Sequence, residues 1–425
     1  MKTCKITLII LGALLALGVS TTSYAFHAGG VAECGGCHSM HEAAPGGVYL
    51  LVGTDQSSAC LSCHERATDT GPSSYRVSSP QAQPSTTPPI HRSPGGDFAW
   101  LRKSYSSSTT STSIEQGSTH GHNIVAVDKG YLASDANFAT APGGTFPTTS
   151  FGCHSCHDPH GKYRRDSTGA VATSGGPIIA SGSYAVTTSG GATDPPAAGL
   201  ALGAYRLLAG AGYTPNTGPA PGFTGVPMAK APNTYNRTEA ATETRVAYGV
   251  KTTGGHATWG NWCGACHPGM HSTGNYVHPV DQNLGTTIAD NYKNYVSSGV
   301  ATTGGTNGYT SLVPFASDLN ATYDGTLAPL ATNTYAYNAG PGPASTDQVI
   351  CLSCHRAHAS GFPEMLRWNM NATFITQNGA YPNQTGGTGA NPKSSAVHQA
   401  AYYDRAPATF GAWQRVLCNK CHAQD

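Results

Sequence analysis

Cys34-Gly-Gly-Cys37-His38 opens a pattern that recurs five times: Cys60-Leu-Ser-Cys63-His64, Cys153-His-Ser-Cys156-His157, Cys263-Gly-Ala-Cys266-His267, Cys351-Leu-Ser-Cys354-His355 and Cys418-Asn-Lys-Cys421-His422. These motifs take every cysteine except Cys4. CxxCH is the attachment signature of c-type haem. Two cysteines one helical turn apart reach both vinyl groups of a porphyrin as thioethers, and the adjacent histidine meets the iron from the same side. Disulfides in an exported chain, or zinc on paired CxxC motifs, are the competing readings. Neither accounts for a histidine after all six pairs.

The rest of the composition fits a chain whose core is largely cofactor. Of 425 residues, 11% are charged and 39% hydrophobic, with 53 Gly and 28 Pro. Charged content is less than half of the roughly 25% usual for soluble domains, yet past the N-terminus no apolar run is long enough to span a bilayer. So much Gly and Pro predicts a mostly irregular chain with few short helices and little strand. Ordering such a chain costs about 1–2 kcal/mol per residue of backbone. Six flat apolar macrocycles supply the surface it wraps around.

At the N-terminus, Lys2 and Lys5 precede an apolar stretch from Ile6 to Val19 and the small-residue site Ser23-Tyr24-Ala25. Residues 1–25 are therefore expected to be a signal peptide, with 26–425 forming one hexahaem unit. Its removal takes Lys2 and Lys5 from the 23 basic residues and leaves 22 acidic ones, close to neutrality. That balance argues against a nucleic-acid partner.

Six of the 18 histidines are proximal ligands by position: His38, His64, His157, His267, His355 and His422. His41, His160 and His358 each follow a proximal histidine by three residues, and His271 follows one by four. A histidine so placed cannot reach the opposite face of its own haem but is well placed to ligate a neighbouring one. His27, His122 and His278 are the next candidates, and His278 is preferred to His271. His91, His120, His154, His256 and His398 receive no role. Methionine is scarce, so bis-histidine iron is expected, with lower potentials than an axial Met would give.

Few local elements are legible. Ile288, Tyr292 and Tyr295 have helical spacing within 286–298, and Phe410, Trp413 and Leu417 suggest a short helix before the last motif. Val77 to Pro89 and Ser104 to Ser113 read as loops. The 21 tyrosines are expected to pack against porphyrin edges with their hydroxyls hydrogen-bonded. Lys162, Arg164 and Arg165 suit either haem propionates or a solvated surface.

Several blocks resemble the hexahaem outer-surface cytochromes of metal-reducing bacteria: FHAGGVAECGGCHSMH at 26–41, TGPSSY at 70–75, PGGDF at 94–98, GHNIVA at 121–126, CHDPHGKYRR at 156–165, TYNRTEA at 234–240, TRVAYG at 244–249, CLSCHRAHASGF at 351–362 and LCNKCHAQD at 417–425. The resemblance implies six covalently bound haem c groups with bis-histidine iron, in a continuous chain of alternating parallel and T-shaped pairs. Distal ligands would be His27, His41, His122, His160, His278 and His358. It further implies that His41 ligates the fifth haem, on Cys351, Cys354 and His355, of an adjacent subunit, building a conductive head-to-tail homopolymer.

Such a protein would be exported to the outer cell surface and pass electrons to other multihaem cytochromes and extracellular metal oxides. A monomeric electron shuttle and a multihaem reductase are the rival readings. The reductase needs an open iron position, whereas here all six motifs are regular and histidines exceed the requirement.

Overall fold

The computed structural model describes residues 34–68, 76–82, 87–106, 114–159, 164–165, 171–172, 207–230, 243–250, 256–270, 277, 279–294, 310–318, 327, 330–335, 342–382 and 391–422. The expected signal peptide and His27, His160, His271, His278 and Lys162 lie outside the described residues.

Each motif lies on, or at the end of, a short helix: Cys34–Cys37, Gln56–His64, Cys153–Cys156, Trp259–Gly264, Cys351–Cys354 and Asn419–His422. Local chemistry sets their limits. Asp55 caps the second by accepting from the Ser58 amide at 2.7 Å. In the third and fifth, Ser155 and Ser353 within the motifs accept from the amides of Gly152 and Ile350, both at 3.1 Å. His157 and His355 then leave the helix in extended backbone, which turns the imidazole away from the helix axis.

Between the motifs the chain is mostly coil, as expected. Strands are two to four residues long, in small sheets such as Tyr105–Ser106 between Ile114–Glu115 and Asn391–Pro392. The predicted helix near 286 is present as Gly285–Asn294, and it buries Ala289 and Tyr292. The one predicted over Phe410 to Leu417 is absent. Pro407–Thr409 forms a 3-10 turn, and the following backbone pairs sideways instead, with Ile375 N–H donating to Gln414 at 2.7 Å and Val416 N–H to Thr373 at 3.2 Å. Part of the second predicted loop is also strand, at Tyr105–Ser106.

Apolar side chains gather in separate clusters, three of which lie beside motif cysteines. One holds Trp259, Trp262, Phe223 and Leu352 against Cys156 and Cys263. A second holds Trp100, Tyr292, Phe315, Phe362 and Tyr402 against Cys354, Cys418 and Cys421. A third joins Leu61, Phe98, Ile124 and Tyr131 to Cys153. Tyr131, Tyr213, Tyr381 and Tyr403 are buried with their hydroxyls bonded to Ser78, His154, Arg405 and Ser93.

Candidate haem centres

The motif helices approach one another in chain order. Gln56–His64 packs on Cys153–Cys156, and Trp259–Gly264 on Cys351–Cys354. The thiols of Cys60 and Cys153 share a hydrogen bond, as do those of Cys263 and Cys351. These sulfurs stand where thioethers would be, so their proximity matters and their acidity does not. The second and third sites, and the fourth and fifth, therefore meet at their attachment edges. Cys37 lies near Cys60, Cys156 near Cys266, and Cys354 near Cys418 and Cys421, which completes a linear order of six. Among the described residues, no cysteine from Cys37 onward is joined in a disulfide.

Imidazole orientation fits an iron ligand set. The Nδ1 atoms of His38, His122, His267 and His355 lie 2.7–2.9 Å from the carbonyls of Tyr49, Ala357, Pro142 and Glu364. A ligating histidine characteristically donates its second N–H in this way, which fixes the tautomer and leaves Nε2 for the metal. Burial pushes His122 down to about 4, so its ring stays neutral, the form that binds a metal.

Two ring pairs face each other at the separation expected across one iron. His122 and His267 have centroids 6.0 Å apart with planes 30° apart, and His157 and His358 are 6.3 Å apart. Metal–imidazole bonds of about 2 Å on either side, with the ring centre lying beyond each nitrogen, require roughly this spacing.

Three matched blocks of the sequence build that arrangement. Gly95-Gly96, Gly121-His122 and His358-Ala359 lie side by side, with His358 N–H donating to Gly95 at 2.7 Å and His122 N–H to His358 at 2.9 Å. Gly96 has φ +97°, and a Cβ there would sit 1.7 Å from the Ala359 oxygen. Only glycine tolerates both. A single backbone register thus fixes the spacing of two distal candidates.

C-type cytochrome OmcS of Geobacter sulfurreducens is 43% identical over a 452-residue alignment covering the whole of both chains. The chain belongs to the OmcS family of c-type cytochromes. The solved outer-membrane cytochrome S filament of the same organism superposes with a TM-score of 0.77 at 42% identity, over 94% of this chain and all of that one. The OmcS nanowire structure gives 0.74 at 43% identity, with the same coverage. No protein-family model matches the chain.

The first, third and fifth sites of this OmcS-family chain share a turn that sequence reading missed. His38, His157 and His355 bridge to Leu51, Leu208 and Leu366. In each, the residue after the histidine donates to the residue before the leucine, and the residue after the leucine donates to the motif's second cysteine, all at 2.8–3.0 Å. Each turn contains left-handed non-glycine backbone: Tyr49 and Leu50, Leu207, and Glu364 and Met365. The signal available in the sequence was CHxxH, present in these three motifs and absent from the other three.

Exposure separates ligand candidates from structural histidines. His38, His64, His122, His157, His267, His355 and His358 are half-buried, and His41 and His422 are exposed. His91, His120, His256 and His398 are buried at 5% exposure or less, too enclosed to face a macrocycle. His154 is half-buried inside its own motif. Arg164 and Arg165 form a short strand with Val171–Ala172.

Two residues before His122, His120 bonds Glu115 at 2.9 Å, and Lys393 bonds the same carboxylate, with His120 and Lys393 both fully enclosed. Burial alone would raise the Glu115 pKa, but the His120 hydrogen bond and the Lys393 charge outweigh it and hold the carboxyl at about 2. A carboxylate depressed below its ordinary 4.5 stabilises the fold fully above that value and loses the effect as pH falls through about 2. The stability gap between the parent and Glu115→Gln, measured as denaturation midpoints, should therefore be wide at pH 6 and shrink below pH 4.5. A gap independent of pH would show that Glu115 does not hold this charge.

Proposed function

We propose that this chain holds six haem c groups on its motif cysteines, each with two histidine ligands, and conducts electrons through a head-to-tail polymer of itself. The proximal ligands are His38, His64, His157, His267, His355 and His422. The distal ones are His27, His41, His122, His160, His278 and His358. Bound haem supplies a one-electron iron centre whose potential the protein tunes through ligation and burial. The chain's own residues fix the order of sites, orient the imidazoles through Nδ1 and exclude water. With both axial positions filled, none of the irons is left open for a substrate, so the reading is electron transfer and not reduction catalysis.

The observation that carries the polymer is the facing pair His157 and His358. His358, beside the fifth motif, points back to the proximal histidine of the third. The turn is the same at the first, third and fifth motifs, so one offset of two motifs should apply to all. It takes His160 from the third motif to the first. It takes His41 beyond the first motif of its own chain, to the fifth motif of a preceding copy. His41 is exposed, as that requires. The family resemblance gives the same target, and the solved relatives are described as a filament and as nanowires.

Pairing the second site with the third and the fourth with the fifth leaves the sixth and first to meet across the junction. A contact between two different surfaces propagates without closing and builds a filament. Export to the cell surface then allows delivery to other multihaem cytochromes and extracellular metal oxides. Among the described residues no helix is long and apolar enough to cross a membrane.

Cryo-electron microscopy of the haem-loaded protein sheared from cells tests the reading directly. The expected image is a filament with His41 joined to a neighbour's iron. Discrete particles with His41 bound within its own chain would make the protein a soluble carrier.

A further inference from the structure

Because the first, third and fifth sites share one turn, residues at matching places in it can be compared. The residue after the proximal histidine is Ser39, Asp158 and Arg356 in turn, and the residue after the bridging leucine is Val52, Ala209 and Arg367. Arg356 and Arg367 are both 0% exposed. The Arg367 Nε donates to the carbonyl of His355 itself at 3.2 Å, and its Nη1 to Ser311 at 3.3 Å. The Arg356 Nη1 donates to Pro94 at 3.1 Å, and its guanidinium lies 3.5 Å from the centre of the Tyr403 ring. Backbone amides of the same two arginines close the turn on Met365 and Cys354. Two cations are thus built into the frame of the fifth site, where the first has neutral residues and the third an acidic one.

We propose that Arg356 and Arg367 raise the reduction potential of the fifth haem above those of the first and third. The inference rests on the reading that the fifth motif holds a haem. One-electron reduction, Fe(III) to Fe(II) with the electron supplied by a neighbouring haem, lowers the charge of the site by one unit. A nearby cation stabilises the product of that step more than the reactant. Guanidinium stays protonated throughout. A charge near protein atoms acts through an effective dielectric of about 20, against about 80 in water, so a buried one is roughly four times stronger at equal distance. Glu364, of opposite sign in the same turn, is exposed and screened by solvent ions. The most oxidising of the three sites is then the one completed by the neighbour's His41, so electrons rest at the junction.

Spectroelectrochemical titration of haem-loaded protein, with six haems per chain confirmed by mass, tests this. In Arg367→Gln one haem's share of the absorbance change should move to lower potential, the ferric-to-ferrous ratio at fixed potential rising about tenfold, which is about 59 mV for one electron. Arg367→Lys should keep the parent curve. Val52→Arg, at the matching place in the first site, should move a different haem's share upward. An unchanged titration in Arg367→Gln with six haems bound, or an equal shift in Arg367→Lys, would overturn the role of charge. Should Arg367→Gln fail to fold, Val52→Arg decides alone, and an unshifted curve overturns the proposal. Absence of haem from Cys351 and Cys354 in the parent protein would instead undo the haem assignment on which it rests.

Discussion

Filaments should disappear in His41→Ala while each chain keeps six covalent haems. Haem attachment depends on the motif cysteines, which this substitution leaves untouched, so haem content by mass is expected to match the parent. What is lost is one iron–imidazole bond at every junction. No second copy of that bond exists in a heterologous contact, so its loss acts at each step of growth. One iron in six should then lack its distal ligand and appear as high-spin or water-ligated ferric haem by electron paramagnetic resonance. Added free imidazole should restore the low-spin spectrum without restoring filaments, because it fills the ligand position but links nothing. The surface around His41 includes Met40 at 78%, Tyr49 at 54% and Leu50 at 52% exposure, apolar groups suited to an interface. If those contacts alone sustained long filaments in His41→Ala, the ligand-swap account would be wrong.

The parts of this architecture that follow from covalent chemistry were legible in the sequence, and those that follow from backbone pairing were not. Six CxxCH motifs point to covalently bound haem c and account for the loop-rich character of the chain. The shared turn escaped detection because its closing leucine stands 13, 51 and 11 residues after His38, His157 and His355. Its left-handed positions are also filled by unlike residues, Tyr49, Leu207 and Glu364 among them. The facing of His358 toward the third site depends on Gly96 and Gly121 admitting a neighbouring strand, a contact between segments more than two hundred residues apart. The Phe410 to Leu417 stretch shows the converse. Its spacing is helical, but Pro407 ends one turn and the segment at 373–379 takes the amide partners, so tertiary pairing overrides the local pattern. By sequence His122 is a candidate and His120 has no role, and burial supplies the physical reason. His120 is enclosed beside Glu115, whereas His122 is half-open.

Removal of a central haem should cost far more than removal of a terminal one. The described residues form no single core: their apolar side chains are divided among four clusters, three of them in contact with motif cysteines. Backbone ordering costs about 1–2 kcal/mol per residue, so clusters of this size need the macrocycle between them to hold their positions. Trp259 and Trp262 flank the fourth motif, with indole N–H groups bonded to Met228 and Ala209 at 2.9 and 2.8 Å, tying it to two distant segments. Cys263→Ala with Cys266→Ala should therefore leave His122 and His267 with nothing between them and open the cluster that joins the third, fourth and fifth sites. The expected outcome is loss of cooperative thermal unfolding and rapid proteolysis within 207–270. At the far end, His422 is exposed and Asn419–His422 packs mainly on Gly285–Asn294. Cys418→Ala with Cys421→Ala should keep five haems, a cooperative melt and resistance to protease over the first four sites, while losing the end that meets the next subunit. Equal damage from the two substitutions would show that stability is spread evenly along the chain, and that the fourth site has no special place in holding it together.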